Sequence, residues 1–283
     1  MDEDSDLQST LSVQRPASDW RRGEANTPSC TQVQDDIVCE VPVALVYNGI
    51  SHVVMMATPD HLTDFALGFS LTEGIVQNPQ QIYSMETVRQ ADAGIDGIEV
   101  RIDIGTEQFA ALKTVRRNLT GRTGCGLCGA ESLQQAIRKP VPVTGEHPIT
   151  HNAIENAVGQ LADHQPLQAQ TGAVHGAAWC DAAGNIECLR EDVGRHNALD
   201  KLIGKLSSAG KKNVFNKGFA LISSRASYEM VVKAAAMNIG ILVAVSAPTS
   251  LAIELAEAAN ITLVGFARPG RHMVYSHPFR IVD

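Results

Sequence analysis

Two β-prone runs, Val41 to Tyr47 and Ile50 to Met56, are separated only by Asn48 and Gly49, residues that tolerate positive φ, and this predicts a tight type I′ hairpin. Thr58 then reads as an N-cap with Pro59 at the first helical position. Leu62, Phe65, Ala66 and Phe69 recur at helical spacing until Gly74, so one face of that helix is expected to cover a sheet. From Gly97 to Ile104 the chain alternates, Ile98, Val100, Ile102 and Ile104 on one side and Glu99, Arg101 and Asp103 on the other, as a half-exposed strand does. These elements predict a small α+β domain over residues 35–120. Residues 1–34 are polar and carry no sustained period, which predicts a disordered tail.

Beyond residue 120 the pattern changes. Phe219 to Ser223, Ile241 to Val245 and Ile261 to Phe266 read as buried strands, and Ala226 to Asn238 and Thr249 to Ala259 as the helices between them. Such an alternation predicts an α/β domain over 121–283 with right-handed crossovers in a largely parallel sheet. Ligands on such sheets gather beyond the carboxyl ends of the strands, here Ser223 to Ser227, Ser246 to Ser250 and Ala267 to Arg271.

Composition narrows the possible chemistry. The 283 residues are 44% hydrophobic, enough to bury a core, and the net charge of −8 argues against a general nucleic-acid binder. No apolar run approaches a membrane span, and the stretch from Met1 to Leu11 is acidic where a signal peptide would be basic, so a cytoplasmic protein is expected. In that reducing compartment six cysteines are not expected to form structural disulfides. The close pair Cys125 and Cys128 therefore calls for a chemical explanation.

That pair sits in a run, Arg116 to Gly129, with four glycines in its last nine residues, which suits a loop that moves between partners. The helix expected over Ala130 to Lys139, together with Arg116, Arg117 and Arg122, would favour thiolate, the species that attacks a persulfide or disulfide sulfur. A zinc site, a dithiol oxidoreductase and a glycine-rich turn with incidental thiols remain open at this point. Zinc lacks a second close pair, because seven residues separate Cys180 from Cys188.

From Gly124-Cys125-Gly126-Leu127-Cys128-Gly129 onward the sequence resembles the FdhD family, sulfurtransferases required for formate dehydrogenase activity. The likeness continues through Thr171 to His175, through Glu191-Asp192-Val193-Gly194-Arg195-His196-Asn197-Ala198-Leu199-Asp200-Lys201, and through Ser223 to Met230, Ser246 to Ala252 and Leu263 to Arg271. Upstream, Glu40 to Val43 and Gly68 to Gly74 also fit, so it spans about residue 38 to the end. Ala173 and Ser224 depart from it, standing where many relatives have glycine.

The resemblance implies a homodimeric carrier with a cytidine-deaminase-like larger domain. It would take sulfur from a cysteine desulfurase and deliver it to the molybdenum bis(molybdopterin guanine dinucleotide) cofactor, bound as substrate, for formate dehydrogenase. Cys125 and Cys128 would carry the sulfur chemistry, and no structural metal is expected. Deamination itself is rejected. His175 is followed by Gly176 and Ala177, not by a Glu two positions on, and the cysteine pair precedes the histidine.

The remaining site residues are expected to hold the guanine dinucleotide. Ser223, Ser224, Arg225 and Thr249 lie where strands turn into helices and free N–H groups can face a pyrophosphate. Phe266, Ala267, Arg268, Pro269, Gly270 and Arg271 supply two guanidinium groups on a rigid-then-flexible turn. Asp192, His196 and Asp200 fall four apart and are expected on one helical face, which reads equally as exposed helical pairs, as a buried histidine capped by carboxylates, or as Arg195, His196 and Asn197 lining the pocket.

Overall fold

The computed structural model describes residues 10–22, 28–92, 95–117, 140–145, 147–208, 215 and 217–283. β1 (Ser12–Arg22) and β2 (Pro28–Val38) pair antiparallel along their whole length. This corrects, for residues 12–22 and 28–34, the expectation of a structureless segment over residues 1–34; residues 1–9 and 23–27 lie outside the described ones. None of the ribbon's side chains is buried and most are exposed, so no core-facing alternation marks it in the sequence. Cross-strand neighbours such as Val13 with Ile37, Ala17 with Val33 and Arg15 with Asp35 accompany the backbone ladder.

β3 (Val41–Tyr47) and β4 (Ile50–Ala57) form the expected hairpin, with Asn48 at φ 45° and Gly49 at φ 79°. α1 (Leu62–Thr72) follows, but Thr58 is not its N-cap. The helix starts after His61, itself at φ 51°. Thr58 is drawn elsewhere: its N–H donates to Asp192 Oδ2 at 3.1 Å, and its hydroxyl accepts from the Val193 N–H at 3.1 Å. β5 (Ile82–Asp92) and β6 (Ile95–Ile104) complete a four-stranded sheet in the order β4-β3-β6-β5, with β3 and β6 parallel, and α2 (Thr106–Arg117) follows.

The C-terminal part runs β7 (Ile149–Thr150), α3 (His151–Gln160), α4 (Pro166–Thr171), β8 (His175–Cys180), β9 (Ile186–Asp192), α5 (Arg195–Ser208), β10 (Phe219–Ile222), α6 (Tyr228–Ala236), β11 (Ile241–Ala244), α7 (Ser250–Ala258), β12 (Thr262–Arg268), β13 (Arg271–Ser276) and β14 (Ile281–Val282). Six of these strands form one sheet in the order β13-β12-β11-β10-β8-β9. Only β10, β11 and β12 pair in parallel; the β8–β10, β8–β9 and β12–β13 pairings are antiparallel, so the sheet is mixed where a largely parallel one was expected. Short turns at Asp181–Asn185 and at Pro269-Gly270 return the chain directly, and a hairpin can only be antiparallel.

Alternate residues of the sheet feed two cores. Trp179, Ala220, Ile222, Leu242 and Leu263 belong to the larger, with α1, α5, α6 and α7, while Ala178, Leu221, Val243 and Val264 face α3 on the other side. α1 is buried on nearly every side because it is covered twice, by the four-stranded sheet and by α5, rather than on the single face expected. Burying each of its large side chains, such as Phe65 and Leu67, contributes about 1.5–3 kcal/mol.

α1 and α5 approach so closely that a Cβ on Gly68 would collide with the Asp200 carbonyl, and one on Gly204 with the Asp64 carbonyl. Beside this crossing the buried Lys233 ammonium donates to Asp200 Oδ2 at 2.8 Å, Thr72 Oγ1 at 2.9 Å and Glu73 Oε1 at 3.1 Å. Burial works against that ammonium, but Asp200 and Glu73 outweigh it and raise its pKa. Among the described residues no helix is long and apolar enough to cross a membrane.

Candidate functional site

The carboxyl ends of β10, β11 and β12 and the start of β8 meet along one rim, and backbone bonds fix their order. Ser223 and Gly176 exchange two hydrogen bonds at 2.9 Å, Ser223 N–H to the Gly176 carbonyl and Gly176 N–H to the Ser223 hydroxyl. The Val245 N–H donates to Ile222 O at 3.0 Å, the Thr249 N–H to Ala226 O at 3.0 Å, and the Phe266 N–H to Ser246 O at 3.1 Å. His175 lies opposite Asp192 in the β8–β9 ladder, which adds the end of β9 and the first turn of α5 to the same edge.

The rim therefore gathers Ser223, Ser224, Arg225, Thr249, His196 and the Phe266–Arg271 run, with differing availability. Arg225 is exposed. Ser224 is buried, its hydroxyl bonded to the Arg225 carbonyl at 3.1 Å, and the Thr249 hydroxyl accepts the Ala252 N–H as the cap of α7. The Ser223 and Thr249 groups expected to meet an anion are thus partly engaged within the protein. α6 begins only at Tyr228, so its N-terminus follows Ser227 and not Arg225.

Phe266, Ala267 and Arg268 are the last residues of β12, not a free loop, and Pro269 and Gly270 turn the chain straight into β13. Ala267 is fully buried in the α3-side core, so its side chain is a packing group, which corrects its assignment as a ligand contact. Phe266 has φ 51°, a conformation costly for a bulky L residue, and is 36% exposed. Beneath it, a Cβ on Gly265 would press into Pro248 and the Tyr275 ring, so only glycine lets the strand pass there. Arg268 and Arg271 are exposed on opposite sides of the turn.

Asp192, His196 and Asp200 do not share a helical face. Asp192 ends β9, before the helix, and is fully buried; its carboxylate accepts from Gly194 N–H at 2.8 Å, Asn197 Nδ2 at 2.9 Å and Lys201 Nζ at 2.7 Å. Asn197 also donates to the Met56 carbonyl at 2.9 Å, so it fastens α5 to β4 and does not line a pocket. Arg195 and His196 are left at the rim. His196 Nε2 stands 3.4 Å from Glu229 Oε2, and the Ser227 hydroxyl donates to the same oxygen at 2.8 Å. Burial pushes Glu229 up, but His196 and Ser227 overcome it and hold the carboxyl at about 2. His175 is lowered by burial first, and then by its electrostatic interaction with Arg195 and with His196.

Comparison with known proteins bears on what such a rim serves. Residues 38–282 match the model of the FdhD/NarQ family. The chain belongs to that family. It is 53% identical to the sulfur carrier protein FdhD of Cupriavidus necator, over 96% of this chain and 90% of the relative, and 50% identical to that of Xanthomonas euvesicatoria pv. vesicatoria, over 95% and 92%. A crystal structure from Desulfotalea psychrophila, described as a formate dehydrogenase accessory protein, shares the fold. Its TM-score is 0.71 at 23% identity, covering 96% of this chain and all of that one.

Within this FdhD/NarQ fold, Cys125 and Cys128, like Arg122 and the helix expected over Ala130 to Lys139, lie outside the described residues. Cys180 and Cys188 point to opposite sides of the six-stranded sheet, Cys180 into the α3-side core and Cys188 against the larger one, so they cannot share a metal or a disulfide. Among the described residues no three His, Cys, Asp or Glu side chains converge as a metal centre. Sequence reasoning gave Glu229 and Ser227 no role, although a carboxylate two residues after a serine at the start of a helix is a readable sign of a charge set near an N-terminus.

Proposed function

We propose that the protein is a sulfur carrier for formate dehydrogenase maturation, loading sulfur on Cys125 from a cysteine desulfurase and delivering it to the molybdenum bis(molybdopterin guanine dinucleotide) cofactor as substrate. The observation that carries this reading is 53% identity, over nearly the whole chain, to a relative named for sulfur carriage, in a sequence that contains a pair of closely spaced cysteines. In the loading step the Cys125 thiolate attacks the terminal sulfur of the donor's persulfide. An S–S bond forms on Cys125, the donor's S–S bond breaks, and the donor leaves as a thiolate.

Delivery asks for two electrons, since the sulfane sulfur must leave as sulfide. Cys128 supplies them: its thiolate attacks Cys125 Sγ, a Cys125–Cys128 disulfide forms, and sulfide departs to molybdenum. A thiol reductant later restores the dithiol. The rim supports the second half of the reading. Arg225, Arg268 and Arg271 offer guanidinium groups to phosphate, and the exposed Phe266 ring offers a face for a purine. A homodimer acting in the cytoplasm is part of the same proposal.

Intact-mass analysis after incubation with a cysteine desulfurase and cysteine should show one added sulfur on the full-length protein and none on Cys125→Ala. Sulfur retained by Cys125→Ala would refute the assignment. Binding of GDP separates a cofactor carrier from a plain dithiol oxidoreductase, which has no use for a nucleotide.

A further inference from the structure

We propose that His151 and His272 form a two-histidine binding site for a divalent transition metal such as zinc or nickel. His151 opens α3, and His272 follows Arg271 on β13, 121 positions away in sequence. The fold brings His151 Nδ1 within 3.4 Å of His272 Nε2, with ring centroids 4.5 Å apart and planes inclined by 37°. Two nitrogens held about 2.0–2.1 Å from one tetrahedral metal stand about 3.3–3.4 Å apart, so the nitrogens already have the spacing of a shared pair of ligands, and a small rotation of the two rings would turn both lone pairs onto one ion. It is long for a direct N–H···N hydrogen bond.

A second relationship points the same way. Glu155, one turn along α3, places Oε1 3.3 Å from His151 Nε2, the ring nitrogen that does not face His272. A carboxylate there holds the proton on Nε2 and leaves the Nδ1 lone pair free. That carboxylate–histidine arrangement orients the ring in many zinc sites. On His272, Nδ1 is buried and has no hydrogen-bond partner among the described residues, and Nε2 faces His151 Nδ1; with its proton on Nδ1 the ring presents the Nε2 lone pair toward the shared position. No third His, Cys, Asp or Glu among the described residues joins the pair, so solvent or an anionic ligand would complete the coordination. Imidazole donors suit zinc, nickel and copper(II) over magnesium or calcium.

The test is a titration of the full-length protein, in a Cys125→Ser/Cys128→Ser background, with Zn2+ against a chromophoric chelator, and with Co2+ followed by absorption. One equivalent should bind, and the cobalt form should lack a thiolate-to-metal charge-transfer band. His151→Gln and His272→Gln should each weaken zinc binding at least tenfold with an unchanged circular dichroism spectrum. Glu155→Gln should weaken it less. Absence of zinc binding, or affinity within twofold of the parent in the folded His151→Gln/His272→Gln double variant, overturns the assignment.

Discussion

Lys201 Nζ lies 2.7 Å from Asp192 Oδ2 with both side chains fully buried, and the same ammonium donates to the Thr58 carbonyl at 3.0 Å. Through this pair the middle of α5, the end of β9 and the segment leading into α1 are held together. A buried ion pair adds little by itself, but an unpaired buried charge is costly. Asp192→Asn should therefore lower the unfolding free energy by about 3–5 kcal/mol in urea titrations. A loss under 1 kcal/mol would mean that Lys201 finds another partner.

Gly204 should be nearly as intolerant for a steric reason. A methyl group there meets the Asp64 backbone, which cannot move without parting α1 from α5. Gly204→Ala should cost at least about 1–3 kcal/mol in the same measurement, even though alanine is the better helix former.

Glu229 carries a pH signature. Its folded pKa of about 2 lies below the ordinary 4.5, so the unfolded chain binds more protons between those values. Its contribution to stability is then full above pH 4.5 and fades as the pH falls toward 2. In a carbon-detected NMR titration the wild-type carboxyl should titrate near 2, and in His196→Gln it should move toward 4.5. His175 works in the same direction in a higher window: its lowered pKa makes stability fall as the solution is acidified through the ordinary histidine range.

Phe266 is a positive-φ residue with a half-open ring at the rim. If a guanine base stacks on it, Phe266→Ala should weaken GDP binding by about 5- to 150-fold, the equivalent of about 1–3 kcal/mol, in calorimetric titrations. An unchanged affinity would place the base elsewhere.

The two cysteines should separate by step. Cys128→Ala should gain one sulfur from the desulfurase as the wild type does but fail to release sulfide, and mass spectrometry over time would show the persulfide persisting. Prompt release from Cys128→Ala would remove that residue from the delivery step.

Much of the fold was legible before any coordinates. The Asn48-Gly49 turn and the order of β10, α6, β11, α7 and β12 follow from local φ preferences and from side-chain periods of 2 and 3.6, which are properties of neighbours in sequence. The β1–β2 ribbon escaped because its strands present almost no core-facing alternation, and Thr58 was misread because a distant carboxylate, 134 positions away, claims its N–H. The rim was anticipated as a set of strand ends, yet the sequence could not say that Ala267 points into a core, that Asn197 is a fastener, or that Glu229 meets His196.

The sequence by itself determined the β3–β4 hairpin, the alternation of β10 to β12 with α6 and α7, the family, and the cysteines on which the sulfur proposal rests. Only the tertiary structure decided which polar residues face one another: Asp192 with Lys201 and Thr58, Lys233 with Asp200, His151 with His272. The reason is range. Backbone preference acts over a few residues and is written locally, whereas a charge or a lone pair takes its role from whatever the packed chain sets within about 3–4 Å of it, and no local pattern encodes that neighbour.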